Sequence, residues 1–195
     1  ATFHIPAFIE GGRTTVNGVH LLNGAPVHTT AFAQDRMFGF STSDLADWLE
    51  EKSGGSIRSA DVQRISGREL NAACGTGLLC LVDRLRSLRG NVPVVVDAER
   101  QDQLAALAAA VRSLRSEKRF LFRSAASLVK ALADPGPQPL DAAALAGLRR
   151  RNGDGALLQG LVVVGSYVPL ADQQLERLLQ APGCRGLEVP VRRIA

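Results

Sequence analysis

The chain has little with which to stack on bases, staple itself or enter a membrane. One Trp, one Tyr and seven Phe in 195 residues are not interleaved with basic runs, so no stacking platform for single-stranded nucleic acid is expected. The formal charge is +4, yet the arginines are scattered and the longest basic run is Arg149-Arg150-Arg151. A small anionic ligand accounts for that excess as well as a phosphate backbone does. Cys74, Cys80 and Cys184 are odd in number and lack C-x-x-C spacing, which argues against a disulfide framework or a zinc site and makes a reducing cytoplasm the expected compartment. His4, His20 and His28 are dispersed and read as structural or surface histidines. No apolar run reaches the roughly 18 residues that span a bilayer, and no signal-peptide pattern opens the chain; no membrane partner is expected. The start without Met, directly in a strand-like segment, suggests a piece of a longer protein.

What is present suits a folded core, with 46% hydrophobic and 22% charged residues. Thr2-Phe3-His4-Ile5 has the composition of a strand that Pro6 ends. Residues 16–22 and 26–30 could form a hairpin about the turn signal Asn23-Gly24. Ser43 is a good N-cap for a helix over 44–53, where Leu45, Trp48 and Leu49 share a face and Gly54-Gly55 stops the run. Residues 57–65 read as extended, and 67–88 as two short helices broken by Gly75-Thr76-Gly77. Asn91-Val92-Pro93-Val94-Val95-Val96-Asp97-Ala98 is a continuous apolar run of the kind found in a parallel strand covered on both faces. An amphipathic helix over 101–115, a strand over 119–122 and a helix over 124–133 follow. This order predicts an α/β fold, a layered and mostly parallel Rossmann-like sheet flanked by helices.

The expected domains are residues 1–134, a proline-rich linker and short helix over 135–157, and a unit over 158–195. That last unit is read with a buried strand at 161–166, a helix at 171–180 and a strand at 187–191.

Gly11-Gly12-Arg13-Thr14-Thr15 is the stretch with the most chemistry. Two missing Cβ atoms let the backbone approach a ligand, and Arg13 adds a planar donor fork for a carboxylate or phosphate; the same pair also reads as an ordinary tight turn. In parallel sheets ligands sit at the carboxyl ends of strands, where Asp97, Arg123 and Ser124 fall. Asp97 reads equally as an N-cap, a salt-bridge partner or a ligand contact.

Four blocks, in order, resemble the four-carbon acid sugar kinase family. The run from Pro6 to His20 is similar to P-A-F-x-E-G-G-R-x-T-x-x-x-V-H. Thr30-Ala31-Phe32-Ala33-Gln34-Asp35 opens a second block similar to T-E-F-A-R-D-x-x-F-G-Y followed by S-x-L-x-x-W-x-x-E-K-T-G-G, the latter part falling on Ser43 to Gly55. Lys118 to Val129 matches K-R-F-L-x-R-T-A-A-S-F-V nearly throughout, with Ser124 keeping the hydroxyl of the usual Thr. Val163-Val164-Gly165-Ser166-Tyr167-Val168-Pro169 and Gln174-Leu175 match V-V-G-S-Y-V-P-x-T-x-x-Q-L. Ala31, Gln34 and Ala171 depart from the usual Glu, Arg and Thr.

The resemblance implies the substrate-binding domain, and the start of the nucleotide-binding domain, of an ATP-dependent kinase acting on threonate, erythronate or an oxo-tetronate, with ATP and Mg2+ serving the complete protein. It implies substrate-binding roles for Gly11, Gly12, Arg13, Thr14, Arg123 and Ser124, with Asp35 and Asp97 as further candidates and Gly165 and Ser166 toward the nucleotide. The family's acidic D-D-x-T-G-A signature is expected before Ala1 and its glycine-rich nucleotide body after Ala195, so catalytic groups are expected elsewhere and no turnover from this chain alone. A homo-oligomer fits the family. A non-catalytic sugar-acid or small-anion binding module is the alternative.

Overall fold

The structure, a computed structural model, describes residues 1–34, 39–166 and 168–190. The chain divides into two compact units, Ala1–Pro137 and Gln138–Ala195. Among the described residues no helix is long and apolar enough to cross a membrane.

The first unit is built on a four-stranded parallel sheet in the order β5-β6-β1-β7. Strand β1 (Thr2–Ile5) lies between β6 (Pro93–Val96) and β7 (Leu121–Ser124), with β5 (Gln63–Ile65) outside β6. Side chains alternate across a strand, so each sheet face draws every second residue. Phe3, Ile5, Ile65, Val94 and Val96 join the large core with helices α2 (Gly67–Ala73), α3 (Leu78–Ser87), α4 (Gln101–Ser113) and α5 (Ala126–Ala133). Phe3 stacks on Phe122 at 5.5 Å between ring centroids. Val95, pointing the other way, packs with Leu45, Ala46 and Leu49 of α1 (Leu45–Lys52) and with Val62. The uninterrupted valine run is therefore covered on both faces.

Residues 13–26 form a small antiparallel sheet of β2 (Arg13–Val16), β3 (Val19–Leu22) and β4 (Ala25–Pro26). Each hairpin turns on Asn-Gly with both residues left-handed, Asn17 and Gly18 at φ 51° and 82°, Asn23 and Gly24 at 50° and 83°. That backbone matches the twist of the flanking strands. The sequence reading found only the second turn, since the loose alternation over 16–22 hid the first. Paired Thr15 and Ala98 backbones tie the meander to the end of β6 at 2.9 Å in both directions.

Three local expectations are corrected. Asp44 rather than Ser43 caps α1, accepting from the backbone N–H groups of Ala46 and Asp47; Ser43 is buried, its hydroxyl accepting from the His28 N–H. In the second unit, which holds α6 (Ala142–Gly147) and α7 (Pro169–Leu179), residues 161–166 are neither strand nor buried, with Leu161 88% and Val163 83% exposed. The described residues 187–190 form no strand either. A strand needs a neighbour to complete its backbone hydrogen bonds, and the described residues of this unit provide only an isolated bridge between Arg151 and Leu157.

Candidate functional site

Period-two geometry builds the site. Phe3 and Phe122 point into the large core, so their successors His4 and Arg123, which are register partners on adjacent strands, project from the opposite sheet face. Arg13 and His20 come from β2 and β3 of the meander, while Leu45 and Trp48 come from α1. Together with Phe32 and Phe40 they line a cavity of about 210 Å³.

Both guanidiniums rest on aromatic rings. Arg123 Cζ is 4.6 Å from the centroid of Trp48 and Arg13 Cζ 5.5 Å from that of Phe8, within the range where a ring face attracts a cation. Arg13 is half-buried, which lowers its pKa from the ordinary value; an arginine stays charged at neutral pH regardless. The ion pairs among the described residues include neither guanidinium, and no described Asp or Glu lines the cavity. Two cations without an acidic partner among the described residues, over largely apolar walls, suit a small organic anion.

The histidines add no charge. His20 is buried, and desolvation followed by the nearby Arg13 charge pushes its pKa down to about 4, against a smaller opposing effect of the Thr14 backbone. His4 is lowered for the same reasons, burial first and then Arg123. His20 Nδ1 lies 3.1 Å from Thr15 Oγ1, while His20 Nε2 and His4 Nδ1 are buried without a partner among the described residues.

Since the folded His20 resists protonation and the unfolded one does not, the unfolded state binds more protons between about pH 6.5 and 4. Stability is therefore expected to fall as pH drops through that window, by up to about 3 kcal/mol below it. Urea unfolding of the protein and of His20→Asn, followed from pH 7 to 4, checks this. The variant's profile should be flatter by that amount, and parallel profiles would count against it.

Of the residues proposed from sequence, Arg13 and Arg123 meet in the cavity, and the other described ones of the first unit do not line it. Gly11 and Gly12 do not offer their amides to a ligand: these N–H groups donate to Phe8 O and Ile9 O at 3.1 Å. The glycines serve the bend. A Cβ on Gly11 would lie 2.4 Å from the Phe8 ring, and one on Gly12, at φ +70°, 2.0 Å from Asn23 Oδ1. Gly12→Ala should accordingly lower stability by about 1–3 kcal/mol and leave ligand affinity of the folded protein within about threefold, as melting and titration would show.

Thr14 follows Arg13 on a strand and so faces away from it. Ser124 pairs with Ile5, on the core side of the sheet. Asp97 is structural, its carboxylate accepting from Asn17 N at 3.1 Å, Gly18 N at 2.8 Å and Gly67 N at 3.0 Å. Asp35 lies outside the described residues. Gly165 and Ser166 are exposed in the second unit, and a Cβ on Gly165 would meet nothing within 4 Å.

His4, His20 and Trp48 were missed as site residues. The signals were available: His4 alternates with Phe3 and Ile5, and His20 and Trp48 fall on letters of the family patterns.

Fold and cavity together define an α/β ligand-binding domain whose pocket is positively charged and mostly apolar. Residues 1–132 match the family model of the sugar-binding N-terminal domain, and the chain belongs to that family. Its solved neighbours include members of DUF1537, the four-carbon acid sugar kinase family. A Haemophilus influenzae DUF1537 protein is 17% identical with a TM-score of 0.52, over 69% of this chain and 30% of its own. A Salmonella typhimurium LT2 protein, provisionally named a tRNA synthase, is 16% identical with a TM-score of 0.53, over 69% and 29%. At these identities the likeness shows the fold. A DUF1537 protein from Bordetella bronchiseptica, solved as a domain-swapped dimer with bound citrate, is 25% identical with a TM-score of 0.50, over 68% and 28%. The chain thus spans under a third of each of these proteins. No curated protein matches it in sequence.

Proposed function

We propose that this chain is the acid-holding part of an ATP-dependent kinase for a four-carbon sugar acid such as threonate, erythronate or an oxo-tetronate. Arg13 and Arg123 clamp the carboxylate between them. The convergence of these two guanidiniums on one cavity carries the reading. Membership of a sugar-binding family and the citrate held by the Bordetella relative support it, and that relative's dimer supports self-association.

ATP and Mg2+ belong to this proposal only through the complete protein. The described residues contain no group of three or more His, Cys, Asp or Glu able to hold a metal. Gly165 and Ser166, exposed and unwalled, form no phosphate cradle within their own unit. These residues do not fit a nucleotide site by themselves, and the chain's own contribution is binding and orientation of the acid.

Trp48 is the sole tryptophan and carries Arg123 on its ring, so acid binding should change its emission. Citrate, erythronate and threonate titrated into the chain should give saturable changes that Arg123→Ala weakens about tenfold or more. A flat titration with all three acids would remove the reading. In the complete protein, acid binding without any effect of ATP would favour the non-catalytic module instead.

A further inference from the structure

Two arginines serve the cavity, yet no acidic side chain fixes where their guanidiniums stand. Neither is in an ion pair among the described residues. Arg123 is an exposed side chain and Arg13 a half-buried one. A long side chain in that situation samples many rotamers, and ordering it when a ligand arrives costs part of the affinity. What places each of these two is an aromatic ring, Trp48 for Arg123 at 4.6 Å and Phe8 for Arg13 at 5.5 Å.

Both rings are themselves fixed. Trp48 packs on the cluster of Leu45, Ala46, Leu49, Val62 and Val95. Its helix is capped by Asp44, whose carboxylate accepts from both terminal nitrogens of Arg64 at 2.8 and 3.0 Å. Phe8 is locked opposite Arg13 by the backbone, where the N–H of each donates to the carbonyl of the other at 2.9 Å. The two side chains are therefore cross-strand neighbours, and the missing Cβ of Gly11 leaves room for the ring. Phe8 does not line the cavity, so it acts on a ligand there only through Arg13.

We propose that Trp48 and Phe8 are the positioning residues of this site, each ring holding one guanidinium in place for the carboxylate of the acid. The inference rests on the reading of the cavity as an organic-acid site. Attraction between a cation and a ring face uses none of the N–H donors, so the planar fork stays available for a two-point contact. The ring also orders the side chain before the ligand arrives, which removes that cost from binding. Among aromatic side chains Trp attracts a cation most strongly. It serves the more exposed arginine, the one that packing confines least.

Because Trp48 is the sole tryptophan, biosynthetic incorporation of mono-, di- and tetrafluorinated tryptophan alters this ring alone. Fluorine draws electron density from the ring face and weakens its hold on a cation, while the indole keeps its shape. Citrate titrated calorimetrically into the 195-residue chain at pH 7.5 should bind progressively more weakly along the series, by about fivefold with the tetrafluorinated ring. Constant affinity would make Trp48 a packing residue and overturn the inference. Rising affinity would overturn it as well, since an electron-poor ring favours direct contact with the anion. Phe8→Leu should weaken citrate by about threefold and Phe8→Tyr, which keeps a ring, should not; equal loss in both folded variants would remove Phe8 from the role. The fluorinated series decides even if a Phe8 variant fails to fold. Failure of the unlabelled chain to bind citrate would instead remove the acid site itself, and this inference with it.

Discussion

Arg13→Ala should weaken binding of the organic acid by roughly 30-fold to several thousandfold, the equivalent of about 2–5 kcal/mol for a desolvated charge pair, with little change in melting temperature. The two expectations have a common cause. Arg13 is half-buried, stacked on Phe8 and without a carboxylate partner among the described residues, so its removal orphans no described carboxylate. Once an acid occupies the cavity, the same cation is its partner in a water-poor setting. Arg13→Lys should recover only a small part of the loss, since an ammonium cannot supply the planar two-point contact of a guanidinium. Titration of citrate into both variants, with melting curves alongside, checks the pair of statements. Affinity within threefold of wild type for Arg13→Ala would take Arg13 out of the site.

Asp97→Ala should produce the opposite pattern, a large loss of stability. Asp97 is 6% exposed, and its carboxylate collects the N–H groups of Asn17, Gly18 and Gly67. It thereby joins the first Asn-Gly turn to the amino end of α2, where a negative charge also meets the favourable end of the helix dipole. Alanine leaves three backbone donors unmet at once. At about 1–3 kcal/mol for each buried unmet group, and without full additivity, the expected cost is about 3–5 kcal/mol, or roughly 10–15 °C in Tm for a domain of this size. Asp97→Asn keeps one acceptor oxygen and should lose less. Chemical denaturation of the two variants gives the answer, and a loss under about 1 kcal/mol for alanine would mean that the three donors find other partners.

Much of the architecture was legible because its signals are local. The valine run over residues 92–96 could be recognised as a doubly covered strand, and residues 101–115 as an amphipathic helix, which the structure shows over Gln101–Ser113. Each depends on neighbours a few residues away. The glycines at 11 and 12 show the limit of such reading. An anion loop and a tight bend look alike in sequence, and only the Phe8 ring and the Asn23 amide beside them reveal the bend. The run at 161–166 shows it again: its composition matches that of β6, yet burial is conferred by neighbours on either side, and the described residues of its own unit hold no strand to pair with it.

By itself the sequence determined the alternation of strands and helices, the parallel α/β class, and two arginines fit to hold an acid. Only the tertiary structure decided that these arginines share a cavity, that His4 and His20 help line it and that Asp97 is buried. The physical reason is register. His4 lies beside Arg123 because β1 pairs with β7 residue for residue, and a shift by one position would turn every one of these side chains to the other face. Such pairing joins residues far apart in the chain, and no short-range pattern encodes it.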